Sequence, residues 1–175
     1  MGRWEWRMID LVPIGEVDDA AIERLLDDAF DSERHGRTAY LLRAGTASIP
    51  TFSFAAIEDG ALVGSIQCWP IWFVPDRSDM RAVPMILVGP VAVTPSRQQD
   101  GIGRRLMGAA LDAAQNDAAM MLIGDPEYYG RFFNFSAEHT ALWRLPGPVE
   151  RRRLLARGAT VPTGAGEVGA RCTVA

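Results

Sequence analysis

Apolar and polar positions along the chain switch repeatedly between a period near two and a period near 3.6, the signature of strands interleaved with helices. Residues 4–11 alternate as a first strand. Ile22, Leu25, Leu26, Ala29 and Phe30 then recur three and four apart, which predicts a helix with one buried face, and Asp18 or Asp19 stands where a cap belongs. A shorter helix is predicted around residues 40–42, within 32–45. Residues 51–57 and 61–74 flank Glu58-Asp59-Gly60 and predict a β-hairpin. Pro70 lies inside its second strand, and a residue without an N–H implies a bulge or an unpaired edge position there. After the loop Pro75-Asp76-Arg77-Ser78-Asp79, residues 83–93 form the next strand.

The second half continues the alternation. Ile102, Leu106, Ala109, Ala110 and Ala113 predict a helix, residues 118–123 a buried strand, and Gly124-Asp125-Pro126 its stop. A helix over 127–133, a strand around 142–145 and a last helix through 150–155, bracketed by Pro148 and Gly158, complete the pattern. From Ala159 the chain is rich in Gly and Thr, a late strand at best or a mobile end. With no internal repeat and no long linker, the expectation is one domain over residues 1–158 and a tail over 159–175. Its class is α/β, a mixed sheet with helices on both faces.

Composition narrows the possible functions. The 175 residues carry a net charge of −4, which argues against a general nucleic-acid or membrane-surface binder. All 18 basic residues are arginine, so a bound phosphate meets guanidinium forks or backbone amides and never an ammonium. Cys68 and Cys172 have no metal-ligand or disulfide spacing, and no metal is expected. The start has no apolar signal region, and Trp6 stands where a myristoylation signal needs Ser or Thr. No apolar stretch reaches spanning length free of Pro, Gly or charge, so a cytoplasmic protein is expected.

Residues 86–115 carry the chemistry. The apolar strand Ile86-Leu87-Val88-Gly89-Pro90-Val91-Ala92-Val93 runs through Thr94-Pro95-Ser96-Arg97 into Gln98-Gln99-Asp100-Gly101-Ile102-Gly103, and a helix opens at Arg104-Arg105. A glycine-bearing loop between a strand and a helix start is a phosphate site, because unpaired amides and the positive end of the helix dipole converge there. A P-loop is excluded by the absence of lysine, and a dinucleotide fingerprint by Leu106 where a third glycine is needed. Gln98, Gly101 and Gly103 instead resemble motif A of the GNAT acetyltransferases, Gln/Arg-x-x-Gly-x-Gly/Ala. A second stretch, Gly124-Asp125-Pro126-Glu127-Tyr128-Tyr129-Gly130-Arg131-Phe132-Phe133-Asn134-Phe135, resembles one bacterial branch of that family. It departs from that branch by one extra residue at Phe132-Phe133 and by Asn134 in place of glycine. Element order extends the resemblance over residues 7–145.

The resemblance implies a splayed, mostly antiparallel sheet that binds acetyl-CoA and passes its acetyl group to a primary amine in a ternary complex. It places the pantetheine arm along Val91, Ala92 and Val93, with main-chain hydrogen bonds from Val91 and Val93, and wraps the diphosphate with Gln98, Gln99, Asp100, Gly101, Ile102, Gly103 and Arg104. It makes Tyr129 the acid that protonates the departing thiolate, with Tyr128 as the alternative. Candidate bases are Asp125, Glu58, His35 and His139. Trp69, Trp72 and Phe73 either line an acceptor pocket or fill the core, and Arg151-Arg152-Arg153 either reach the CoA 3′-phosphate or form a solvated helix face. A small-molecule or peptide amine is the implied partner, and a homodimer is possible. Two rivals stand beside this reading, a CoA-binding module without catalysis and an enzyme using a longer acyl-CoA.

Overall fold

The structure is a computed structural model and describes residues 8–115 and 118–172. Within them eight strands form one sheet in the order β1-β2-β3-β4-β5-β7, with β8 paired to β3 and β6 paired to β8. The strands are β1 (Ile9–Pro13), β2 (Phe54–Glu58), β3 (Ala61–Pro75), β4 (Val83–Val93), β5 (Met120–Ile123), β6 (Trp143–Arg144), β7 (Leu154–Arg157) and β8 (Gly166–Ala170). Four helices accompany them: α1 (Asp19–Ala29), α2 (Thr38–Leu41), α3 (Ile102–Ala114) and α4 (Pro126–Phe133). Pairs β4–β5 and β6–β8 are parallel and the others antiparallel. This is the mixed sheet that the pattern implied, and mostly antiparallel as the resemblance implied. Of the first predicted strand, residues 4–7 lie outside the described residues.

Strand alternation divides the core into two faces. Ile86 and Val88 of β4 and Met120 and Leu122 of β5 pack with Leu106, Met107 and Ala110 of α3. Their neighbours Met85, Leu87 and Met121 pack on the opposite face with Phe73, Trp143 and Leu154. Helix α1 is capped by Asp18, whose carboxylate accepts the Ala20 N–H at 3.3 Å. It buries Ile22, Leu25 and Leu26 against Ala92. On α3 the buried face is Ile102, Leu106, Met107, Ala110, Leu111 and Ala114, whereas Ala113, expected inside, is exposed. The larger apolar side chains set the rotation of the helix, and alanine carries too little area to compete.

The predicted helix at 150–155 does not form. Arg151–Arg153 makes a single 3-10 turn, and Leu154–Arg157 becomes β7, antiparallel to β5. Leu154 and Ala156 enter one core face and Leu155 the other. A strand buried on both faces reads as a plain apolar run, which periodicity cannot tell from helix. The tail likewise contributes a strand, since β8 pairs with β3 over Ile71–Pro75.

Of the two alternatives expected at Pro70, the unpaired edge position is the one found. Its partner Ile86 donates its N–H to Ala119 at 2.9 Å, so this β3–β4 pair turns its polar groups outward. The missing N–H of Pro70 therefore falls on the edge of β3 left open between β2 and β8, where its carbonyl accepts from Arg171 at 3.1 Å. The bulge lies across the ladder. Ile66 pairs with Val91 and Cys68 with Val88, so Gly89 and Pro90 stand opposite the single residue Gln67. Gly89, at φ 120, adopts a conformation that a side chain would resist.

Cys68 is fully buried, and desolvation pushes its thiol up to about 12, partly offset by a hydrogen bond from the Gly89 amide. Cys172 is exposed. A thiol reagent at pH 8 should therefore label Cys172 in the native protein and Cys68 only after denaturation, which mass spectrometry of the labelled peptides would read. Native labelling of Cys68 would contradict this packing.

Candidate active site

The bulge creates the site. Strands β4 and β5 pair at only two positions, Ile86 with Met120 and Leu87 with Met121, and then diverge. One inserted residue reverses which side of β4 faces which neighbour. Before the bulge Ile86 and Val88 face α3. After it Val91 and Val93 do, lying 3.7 and 3.8 Å from where a Cβ on Gly103 would sit. Thr94 donates its N–H to Val63 of β3 at 2.8 Å. By the alternation of an antiparallel ladder Ala92 also faces β3, so Val91 and Val93 turn their backbone groups into the gap.

The gap continues into a cleft with two parts. The wide part encloses about 900 Å³ between β4, Leu122 to Asp125 at the end of β5, and the segment around α2. The narrow part encloses about 520 Å³ and runs past Val93 to Gln98, Gln99, Gly101, Gly103 and Arg104. Phe30, Val91 and Tyr129 line both and mark the neck between them. A volume of this size suits a cofactor-sized ligand.

At the narrow end the loop has the form an anion needs. Gly101 caps α3 at φ 79 with no side-chain hydrogen bond competing for the helix start. Arg105 N–H to Gly101 C=O, at 3.1 Å, is the first bond of the helix, which leaves the amides of Ile102, Gly103 and Arg104 pointing outward. Gln98 folds back, its Nε2 donating to the Val93 carbonyl at 3.4 Å. Three loop-and-strand residues singled out by sequence contribute no side chain to the cleft. Ala92 is 1% exposed against α1, Ile102 is 1% exposed in the core, and Asp100 turns outward to Arg97.

Of the three nearby arginines only Arg104 lines the cleft, with its guanidinium 4.0 Å from the Phe132 ring. Arg97 is bound to the buried Glu58 and to Asp100, and both carboxylates hold its pKa above the ordinary value, Asp100 most. Arg105 donates to the Ile9 carbonyl at 3.0 Å. Sequence places positive charge near the loop, but only tertiary contacts decide which charge is free.

Tyr129 stands at the neck because Asp125 and Gly124 put it there. Asp125 accepts the Glu127 N–H at 3.0 Å and Pro126 occupies the first turn, so α4 starts directly at the end of β5. A Cβ on Gly124 would fall 2.5 Å from Tyr129 Cε2, so only glycine leaves room for the ring. The Tyr128 ring meets it edge-on at 4.9 Å. Burial raises the Tyr129 pKa above that of a free phenol. Tyr128 adds to the rise, Arg153 opposes it and Asp125 adds a little more. Asn134, the departure from glycine, takes the left-handed conformation at φ 59 and closes α4, with its N–H bonded to Gly130 at 3.3 Å. The chain then delivers Phe135 to the core, 2% exposed, so the extra residue is absorbed within the helix end.

The proposed bases separate clearly. Asp125 lines the wide part. Glu58 is buried with Arg97, while His35 is exposed beside Arg34 and packs edge-on against Tyr40. His139 is exposed beside Glu138. Trp69 and Phe73 belong to the core, and Trp72 carries the Arg171 guanidinium at 5.2 Å. In the arginine run, Arg153 reaches the wide part, Arg151 donates to the Trp143 carbonyl and Arg152 pairs with Glu127 at 3.9 Å. Sequence reasoning missed the α2 side of the cleft, where Arg34, Thr38, Tyr40 and Arg43 converge on β4. Nothing local marks them, because their shared feature is a neighbour far away in the chain. Gly89-Pro90 in mid-strand was a readable bulge signal.

Among the described residues no helix is long and apolar enough to cross a membrane, and no cluster of three or more His, Cys, Asp or Glu could hold a metal. No curated protein matches the chain. Solved structures do match in fold. A GNAT family N-acetyltransferase from Escherichia coli in complex with CoA superposes at a TM-score of 0.65 with 23% identity, covering 92% of this chain and 88% of that one. A GNAT family acetyltransferase from Brucella melitensis in complex with acetyl-CoA gives 0.62 and 24%, covering 94% and 97%. An acyl-CoA N-acyltransferase from Pseudomonas aeruginosa gives 0.52 and 20%, covering 86% and 98%. The family model described as Acetyltransferase (GNAT) family matches residues 20–129, from the start of α1 through Tyr129. The chain therefore belongs to the GNAT family and is an acyl-CoA N-acyltransferase of that type.

Proposed function

We propose that the protein moves an acetyl group from acetyl-CoA to a primary amine by direct attack, with no covalent enzyme intermediate. The observation that carries this is the backbone of Val91 and Val93, which no strand pairs in the gap beyond Leu87–Met121 and of which the Val93 carbonyl meets the Gln98 side chain. An extended pantetheine arm completes such a strand by adding main-chain hydrogen bonds. The outward amides at the start of α3 fit the diphosphate, and Arg104 adds a guanidinium beside them. Gly101 keeps that approach open, since nothing lies within 4 Å of where its Cβ would be.

The residues at the neck then divide the work. Pro90 has no N–H and the Gly89 amide is engaged by Cys68, so Val91 supplies the bulge amide that faces the cleft and polarises the thioester carbonyl. The amine nitrogen forms its bond to the carbonyl carbon as the C–S bond breaks. Tyr129 gives its phenolic proton to the leaving sulfur and recovers one from solvent. The proton lost by the amine passes to water, for which Asp125 is the only one of the four candidate bases in the cleft. Its carboxylate already caps α4, so holding amine and thioester together supplies most of the acceleration.

A thermal-shift titration with acetyl-CoA and CoA, followed by thiol release with a panel of amines, tests the reading. At 100 times its dissociation constant a ligand adds about 2.7 kcal/mol. Absence of a shift would remove the cofactor site. A shift without thiol release would leave a CoA-binding module, and faster release from longer acyl-CoAs would change the donor. The pH dependence is also determined. The acceptor must be unprotonated, so kcat/KM should rise with pH toward the amine pKa. The raised Tyr129 keeps its proton, so no fall attributable to it should occur below the ordinary phenol value of 10.0. A decline setting in near pH 8 with the protein still folded would exclude Tyr129 as the acid.

A further inference from the structure

Among the described residues three charged side chains are buried: Arg34 at 7% exposure, Arg43 at 8% and Glu58 at 5%. Two of them face an opposite charge. Arg34 binds Glu23 at 2.6 Å and Asp27 at 3.1 Å, and Glu58 binds Arg97. Arg43 has no carboxylate partner among the described residues. Its guanidinium lies 4.0 Å from the centre of the Tyr40 ring and 4.5 Å from that of Trp69, and Nη1 reaches only Gln67 Oε1 at 3.5 Å.

A buried guanidinium without a counter-charge is costly, and two ring faces offset only part of that cost. Arg43 lines the wide part of the cleft, the part that also holds Tyr129 and Asp125. None of its nitrogens is among the sealed, unpartnered polar atoms, and Arg43 is one of the residues lining that space. The two ring contacts hold the guanidinium fork in place beside that space. Such a fork binds an oxyanion through two parallel hydrogen bonds. The same space is lined by Asp125 and Glu150, whose carboxylates favour a cation. Positive and negative groups lining one space suit a zwitterion.

We infer that the acceptor is an amine that also carries an oxyanion, a carboxylate or a phosphonate-type group, and that Arg43 binds that group while the amine is presented at the neck. This rests on the acetyl-transfer reading for the role of the neck, but Arg43 recognition can be measured without turnover. Polyamines and simple alkylamines, which offer no anion, are then poor acceptors.

The test is calorimetric titration of the full chain saturated with CoA, using matched pairs at pH 7. One pair is an α-amino acid and its amide, and the other an aminoalkylphosphonate and the corresponding alkylamine, with a diamine alongside. The anionic member of at least one pair should bind about 30-fold more tightly than its neutral partner. The pair that shows the preference tells carboxylate from phosphonate. Arg43→Gln should erase the ratio while keeping the CoA thermal shift, and Arg43→Lys should retain part of it. Equal or tighter binding of the alkylamine, amide or diamine overturns the inference. So does a ratio that survives Arg43→Gln, or no binding of either anionic amine at millimolar concentration. If Arg43→Gln fails to fold, the wild-type ratios and Arg43→Lys decide. Failure of CoA itself to bind would instead sink the acetyl-transfer reading, so the two failures are distinct.

Discussion

Tyr129→Phe is expected to lower kcat for acetyl transfer by about 10²–10⁴-fold, the range of general acid catalysis, with the acetyl-CoA thermal shift retained. The ring sits against Gly124 and beside Tyr128, packing that phenylalanine reproduces, so removing one oxygen should leave the neck in place. What disappears is the proton. A phenol is protonated at neutral pH and burial raises its pKa further, and without it the thiolate must leave unprotonated or find a water. Tyr128→Phe is the control. Tyr128 lines only the narrow part, so its loss should leave kcat within a few-fold if Tyr129 is the acid. Reversal of the two effects, read by thiol release at saturating substrates, would transfer the role to Tyr128. Unchanged turnover in both variants would remove tyrosine from the mechanism.

Gly101→Glu is expected to abolish the acetyl-CoA thermal shift. Gly101 caps α3 in the left-handed conformation, beside the amides assigned to the diphosphate, and the space around its Cβ position is empty. A carboxylate there meets the same amides and the same end of the helix dipole that the diphosphate needs, and it repels the ligand. Loss of the full shift of about 2.7 kcal/mol at 100 times the wild-type dissociation constant is the predicted reading. Gly101→Ala separates charge from backbone strain. It costs roughly 1–2 kcal/mol of stability for a side chain in the left-handed region but brings no charge and no clash. It should therefore lower the melting temperature and keep most of the shift. Equal loss of binding in both variants would show that loop conformation, and not room for an anion, governs the site.

Much of the cofactor side was readable because its signals are local. A cap, a proline in the first turn or a glycine at positive φ acts through its own backbone. Asp125-Pro126 therefore marks the start of α4 in the sequence as it does in space, whereas α3 starts at Ile102 behind the Gly101 cap, two residues before the expected opening at Arg104. The same locality made β4 legible to its first and last residues, 83 and 93. It failed at residues 150–155, where an apolar run buried on both faces carries no period, and pairing with β5 made a strand of 154–157. It failed again at α3, where Ala113 matched the spacing but larger neighbours set which face turned inward.

The sequence by itself determined the strand, turn and helix proposed to bind the diphosphate, the tyrosine pair after Asp125-Pro126, and the absence of lysine from any phosphate contact. Tertiary structure alone decided that the bulge at Gly89-Pro90 turns Val91 and Val93 into the gap and that Ala92 faces away. It alone decided that Arg97 and Arg105 are spent on protein partners while Arg104 lines the cleft, and that Arg43 lies buried against two rings with no counter-charge among the described residues. The physical reason is range. Backbone preferences act over a turn of chain. Strand pairing, burial and the partner of a charge depend on residues distant in the chain, which only the assembled sheet brings together.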